Sequence, residues 1–370
     1  MYYSEITKII EAGLDKDKDK VRSFAILLAD KLKEDGEKRA SDKIKSIIQK
    51  KSMGGLVTDS LVAPPIDQES RMSIIDISKG KEDNNLVLSD AILSKLEDFQ
   101  DTIKIKDKMN EIGLDFDMSL LLYGPPGCGK TSIAYYLANK LNLPLVTARL
   151  DTLVSSLLGN TAKNIRRIFD YAKKQPCILF LDEFDAIAKA RDDKQEMGEL
   201  KRVVNSLLQN MDDYSKEGIL IAATNHQELL DSAIWRRFQS VVEVSKPGKE
   251  EILKIMNNML VDFKKDFSED NKRIEIIQKI MLGLSYSDIK NILQNLIKKY
   301  FIKNKMEIEF VELLVEIYLF KNHSNFETSD VINFLYSAGV TQIKIAEYYG
   351  VSVRQIRNYL DKETNYEKSR

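Results

Sequence analysis

The run Gly124-Pro125-Pro126-Gly127-Cys128-Gly129-Lys130-Thr131 has the spacing Gly-x-x-x-x-Gly-Lys-Thr. A loop of this kind holds phosphate. Its glycines let the backbone curl so that N–H groups point inward, and its lysine neutralises the outer phosphates. Thr131 offers a hydroxyl to Mg²⁺, and Ser132 continues into a helix whose positive end faces the anion. The expected ligand is a nucleoside triphosphate.

About fifty residues later, Cys177-Ile178-Leu179-Phe180-Leu181 runs into Asp182-Glu183. A buried strand that ends in two carboxylates needs a reason, because unpaired buried charge is costly. Beside a phosphate loop, Asp182 suits Mg²⁺ and Glu183 suits polarisation of an attacking water. A further apolar run, Ile219 to Ala223, ends in Thr224-Asn225, and Asn225 is placed to help orient that water. The adjacent Arg236 and Arg237 follow shortly after. Their guanidiniums are suited to a phosphate, although paired arginines also decorate ordinary surfaces.

Positioning these groups requires a sheet. Strands are expected at 119–123, 145–149, 178–182, 219–223 and 241–244, alternating with helices at 130–141, 161–174, 194–211 and 228–236. Such alternation argues an α/β doubly wound parallel sheet with its ligand at the carboxyl ends of the strands. Residues 249–325 carry only helical periodicity, with candidates at 250–263, 273–282, 285–303 and 307–321. Residues 1–50 also read as a helical module, and 51–85, with Gly54-Gly55 and Pro64-Pro65, as a linker. The expected organisation is 1–50 N-terminal module, 51–85 linker, 86–248 α/β domain, 249–325 helical lid and 326–370 C-terminal segment.

Residues 86–300 resemble the AAA group of the AAA+ ATPases. Beyond the two Walker motifs, Ala223-Thr224-Asn225, Leu230-Asp231-Ser232-Ala233 and Arg236-Arg237-Phe238 match that group's second region of homology. The resemblance implies ATP and Mg²⁺ as cofactors, Asn225 as sensor 1, and Arg236 and Arg237 as arginine fingers reaching the ATP of a neighbouring copy. It implies a ring, most often a hexamer. The group usually spaces its two arginines further apart; here they are adjacent, so either could be the main finger. Gly283-Leu284-Ser285-Tyr286-Ser287 resembles the start of the lid helix called sensor 2, which would bring Gly283 and Ser287 near adenine and ribose. Ser285 and Asp288 equally fit a helix N-cap.

Many rings of this group grip a polypeptide with an aromatic–hydrophobic–Gly loop. The matching stretch is Leu157-Leu158-Gly159, with leucine where an aromatic is usual; a helix ending at a Gly stop is the alternative. The stretch from Thr341 to Arg357 resembles a helix-turn-helix, in which Arg354, Gln355, Arg357 and Asn358 would face a DNA groove. From 341 to 362 it carries four basic residues against two acidic ones, a weak balance for phosphate binding. A protein-docking module is the competing use.

The formal net charge of −1 gives the chain no global attraction to nucleic acid or membrane. Two cysteines, one inside the phosphate loop, form no disulfide framework, and no leader or membrane-spanning run is evident. A cytoplasmic ATP hydrolase acting on a protein substrate or effector is therefore expected, with DNA association or an ATP-gated scaffold as alternatives. The layout resembles prokaryotic AAA proteins encoded in accessory or antiviral-defence operons.

Overall fold

The computed structural model describes residues 74–78, 86–114, 116–150, 158–186, 199–322 and 327–367, with Pro65 and a few isolated helical positions before residue 50. The chain divides into two units, Met1–Pro64 and Pro65–Arg370. Apart from those isolated positions, the expected N-terminal module lies outside the described residues, as does most of the 51–85 stretch.

The second unit is built on six strands: β1 Asp76–Ser78, β2 Ser119–Tyr123, β3 Leu145–Arg149, β4 Ile178–Asp182, β5 Ile219–Thr224 and β6 Ser240–Glu243. Their order is β1-β3-β4-β5-β2-β6. The pairs β3–β4, β4–β5, β5–β2 and β2–β6 are parallel, as the strand–helix alternation predicts. The edge strand is a correction to an all-parallel sheet. β1 lies within the expected linker and pairs antiparallel with β3, Ile77 opposite Val146.

Alternation along each strand sends successive side chains to opposite faces. Leu121, Val146, Leu179, Leu181, Leu220 and Ala222 enter one core, covered by α3 Leu158–Lys173 and α4 Glu199–Tyr214. Leu120, Leu122, Leu145, Phe180, Ile221 and Ala223 enter the other, covered by α1 Asp90–Glu111 and α2 Lys130–Leu141. Both faces are dry, which is why the strands read as unbroken apolar runs. Gly218 opens β5 against the ring of Tyr214, where an added Cβ would stand 2.3 Å from Cζ. The Tyr214 hydroxyl meets the Cys177 thiol at 3.8 Å, and burial pushes that thiol up to about 11.

After β5 comes the short α5 Ser232–Trp235, and after β6 the named elements among the described residues are helices, with one isolated bridge between Lys265 and Ile308: α6 Lys249–Met259, α7 Asn271–Met281, α8 Tyr286–Ile302, α9 Phe310–Asn322, α10 Thr328–Ser337, α11 Gln342–Tyr349 and α12 Val353–Glu367. α9 is buried on almost every side over its first eight residues, so it serves as the axis of this region. Its two buried acids are paired, Glu312 with Lys305 at 3.1 Å and Glu316 with Lys299. One apolar core runs from Ile252 through Leu313 and Leu314 to Val331, Ile345 and Ile356, so the last three helices share it with α6–α9. Gly350 joins α11 to α12 in the left-handed region, φ 67°, a C-cap that glycine adopts without strain.

Candidate functional site

The phosphate loop leaves β2 and enters α2. Gly124, Gly127 and Gly129 all take positive φ, at 138°, 73° and 99°. At Gly124 the constraint is doubled, because a Cβ would stand 2.4 Å from the Val244 carbonyl oxygen. The loop therefore curls as phosphate binding requires. Lys130 is buried, and its Nζ donates to the Gly124 and Pro125 carbonyls at 2.7 and 2.8 Å. Burial lowers its pKa, opposed by Asp182 and Asp185 nearby. Pro126 is exposed, and its carbonyl accepts from the buried Cys128 thiol at 3.8 Å. Burial raises that thiol's pKa. Ser132 is half-buried in the first turn of α2.

β4 delivers its carboxylates beside this loop because β5 alone separates it from β2. The Thr131 hydroxyl donates to Asp182 Oδ2 at 3.3 Å. These two oxygens are suited to a hard cation that also takes substrate phosphate and water. Glu183 follows in the left-handed region at φ 54°, a sparsely used conformation for a non-glycine residue. Its N–H donates to Asp182 Oδ1 at 2.9 Å, and its carboxylate lies 3.8 Å from Arg149 Nη2 at the end of β3. The next residue returns to the sheet, Phe184 N–H donating to Ala223 O at 2.8 Å. Asp182 and Glu183 thus stand against one step of β5, a bulge on that side of β4, while Asp182 stays paired with Arg149 of β3. Asn225 comes directly after β5 and is half-buried.

Arg236 and Arg237 differ in their surroundings. Arg237 is held: its Nε pairs with Asp212 Oδ1 at 3.0 Å, its Nη1 donates to Ala233 O at 2.7 Å, and its carbonyl accepts from the buried Ser119 hydroxyl at 3.0 Å. Arg236 is exposed: its backbone N–H closes α5 on Ser232 O at 3.3 Å, and its guanidinium has no hydrogen-bond or ion-pair partner among the described residues. Asp231 caps α5 by accepting from Ile234 N at 2.9 Å, and Trp235 packs edge-on against Tyr123, which together fix where the pair emerges.

The helical region touches the phosphate loop through the start of α8. Ser287 N–H donates to Gly127 O at 3.0 Å, while Ser285 caps the helix and Asp288 completes a capping box. The N-cap is present, and the same segment meets the phosphate loop. Gly283, φ 85°, lends its carbonyl to Lys246 Nζ at 2.6 Å. A small cleft lies here between Val87, Leu88, Cys128, Val244, Lys246 and Tyr286. Ser89, Ser245 and Glu251 also line it, so its walls are mixed polar and apolar. Val87, Leu88, Lys246 and Tyr286 escape sequence reasoning, since only folding brings them together.

Other expected residues lie apart. Leu158 and Gly159 form the first turn of α3, so Gly159 does not stop a helix; Leu157 is outside the described residues. Arg354, Gln355, Arg357 and Asn358 are exposed on α12. Gln355 Oε1 accepts from Ser352 N at 2.9 Å, capping that helix, and Arg357 Nε donates to Gln342 Oε1 at 3.0 Å.

A curled glycine loop, a buried lysine, a hydroxyl–carboxylate pair and a bulged glutamate on a doubly wound sheet define a P-loop nucleoside triphosphatase. Residues 120–246 match the model of the ATPase family associated with various cellular activities (AAA). The chain is 40% identical over 230 residues to an uncharacterized AAA family ATPase, y4kL, of Sinorhizobium fredii, covering 61% of this chain and 67% of that protein. It is 36% identical over 200 residues to the proteasome-activating nucleotidase of Pyrococcus abyssi, covering 51% and 49%. It is also 34% identical over 231 residues to the ATP-dependent zinc metalloprotease FtsH of a Sulfurovum species, covering 60% and 34%. The crystal structure of the FIGL-1 AAA domain shares the fold, with a TM-score of 0.55 at 22% identity over 70% of this chain and 92% of that one. The chain belongs to the AAA family of ATPases, and its reaction is hydrolysis of ATP. It spans two thirds of y4kL, about half of the nucleotidase and about a third of FtsH. Among the described residues no helix is long and apolar enough to cross a membrane.

Proposed function

We propose that this chain uses ATP hydrolysis to remodel a protein partner, working as a ring of identical copies. One copy supplies the phosphate loop, Asp182, Glu183 and Asn225, and its neighbour supplies Arg236. The observation that carries the reading is the contrast within the arginine pair. The Arg237 guanidinium is bound to its own chain, while the Arg236 guanidinium is exposed without a partner among the described residues.

In hydrolysis, Glu183 takes a proton from water as the water oxygen bonds to the γ-phosphorus. The bond to the bridging oxygen breaks, and Lys130 with Arg236 offsets the charge that gathers on the phosphoryl oxygens. Asn225 orients the water. Thr131 and Asp182 would hold Mg²⁺, which supplies further charge neutralisation. The protein-remodelling part draws on relatives named as a proteasome-activating nucleotidase and an ATP-dependent protease.

A second reading, DNA association, draws on α11, the Gly350 turn and α12, with Arg354, Arg357 and Asn358 exposed. ATP turnover measured alone, with an unfolded protein and with duplex DNA separates the two. Stimulation by unfolded protein supports remodelling, whereas stimulation by DNA alone, lost in Arg354→Ala plus Arg357→Ala, overturns it. In the same assay Arg236→Ala lowers kcat by roughly 1000-fold with ATP affinity kept, as expected of a transition-state guanidinium. Turnover that is unaffected by Arg236→Ala, or lost only together with nucleotide binding, removes the shared-site model.

A further inference from the structure

Past the last paired residues, Leu181 and Ala222, the segment after β4 and the end of β5 remain tied by one backbone bond and by side chains. Asp185 is buried, and so is Thr224. The Thr224 hydroxyl donates to Asp185 Oδ1 at 3.2 Å and accepts from His226 N–H at 3.1 Å. That single hydroxyl therefore joins the segment after Glu183 to the turn that contains Asn225. The backbone bond from Phe184 N–H to Ala223 O lies beside it, and the Phe184 ring meets Phe238 edge-on at 5.8 Å between centroids.

We infer that Asp185 and Thr224 form a clasp that fixes the separation of Glu183 from Asn225, which makes them positioning residues for hydrolysis. The inference rests on the assignment of Glu183 and Asn225 to the attacking water. Glu183 occupies a backbone conformation that few non-glycine residues adopt, so the residues on its far side must hold it there. Asn225 sits in a turn closed by the residue before it: Thr224 Oγ1 to His226 N–H is the local side-chain-to-backbone bond that stabilises such turns. The clasp makes the two turns one object. A hydroxyl is required because it must donate to the carboxylate and accept from the amide at once, which no apolar side chain can do.

The test uses the full chain and reads kcat and ATP affinity separately, with the melting temperature recorded. Thr224→Val keeps the branched shape and removes the hydroxyl. It should lower kcat by roughly 10- to 100-fold, the cost of a misplaced reacting group, while ATP affinity stays within about twofold. Thr224→Ser, which restores the hydroxyl, should recover most of the rate. Wild-type turnover by Thr224→Val, or equal loss in Thr224→Val and Thr224→Ser, overturns the clasp. Should Thr224→Val fail to fold, Asp185→Ala, which removes the acceptor, gives the same reading: a lower kcat with ATP affinity kept supports the clasp, and unchanged kcat overturns it. Glu183→Gln serves as the control. If it hydrolyses ATP at the wild-type rate, the assignment of the water site fails; if it is inactive while Thr224→Val is normal, only the clasp fails.

Discussion

Consecutive residues on a near-helical backbone point about 100° apart, and the arginine pair uses that divergence. Arg237 turns back to Asp212 and Ala233, and Arg236 turns to solvent. Cys177 illustrates the residue scale in another way. Burial raises its thiol from the ordinary 9.0 to about 11, so between those values the unfolded chain has released a proton that the folded chain keeps. The unfolded state then binds fewer protons, and stability falls as pH rises, by about 1.4 kcal/mol per pH unit from this group. Below the ordinary thiol value the contribution is fully present. Urea unfolding from about pH 8 to about pH 11 should show this decline, and Cys177→Ala should flatten it while lowering stability near neutrality. An identical slope in the variant would mean that another group governs the alkaline loss. Tyr214, also raised by burial, would be the first to suspect.

Among the elements, the entry to β5 is the most tightly built. Gly218→Ala would drive a methyl group into the Tyr214 ring, 2.3 Å from Cζ and 2.6 Å from the hydroxyl. The expected loss is roughly 1–3 kcal/mol, read as a lower melting temperature, and Tyr214→Leu in the same chain should recover part of it. A melt unaltered by Gly218→Ala would show that the helix–strand corner can yield. The elements themselves were largely legible. β2 to β6 are short apolar runs closed by polar residues, and the Ser285–Asp288 capping box marks the start of α8 in sequence and structure alike. β1 was not legible, because three residues, Asp76-Ile77-Ser78, carry no periodicity and their pairing is dictated by β3. α1 is missing from the expected helices although Ile92, Leu96 and Phe99 recur at helical spacing. The triphosphate end of the site could be read from one local motif after another. The cleft beside the loop could not, since Val87, Val244 and Tyr286 come from segments far apart in the chain. Nor could the different surroundings of Arg236 and Arg237, which depend on where α4 places Asp212.

For the whole second unit, the shared core of α6–α12 has a direct consequence. Val331, Ile332, Leu335, Ile345 and Ile356 are buried in the same core as Leu313, Leu314 and Ile317. A chain ending before Thr328 would uncover that surface on α9, including the site where Tyr348 packs beside Glu312 and Glu316. The expected result is a lower melting temperature together with weaker ATP binding, because α8 joins this core to the phosphate loop through Ser287 and Gly127. A truncated chain that melts and binds ATP like the full one would show that α10–α12 are a detachable appendage. β1 carries a different consequence. A sheet edge is a row of unsatisfied N–H and C=O groups that can recruit a stranger's strand. β3 would be such an edge, and Asp76–Ser78 occupies it with only three residues, two of them polar. β1 thereby leaves a three-residue edge on that side of the sheet, and an edge so short gives a stranger's strand little to pair with.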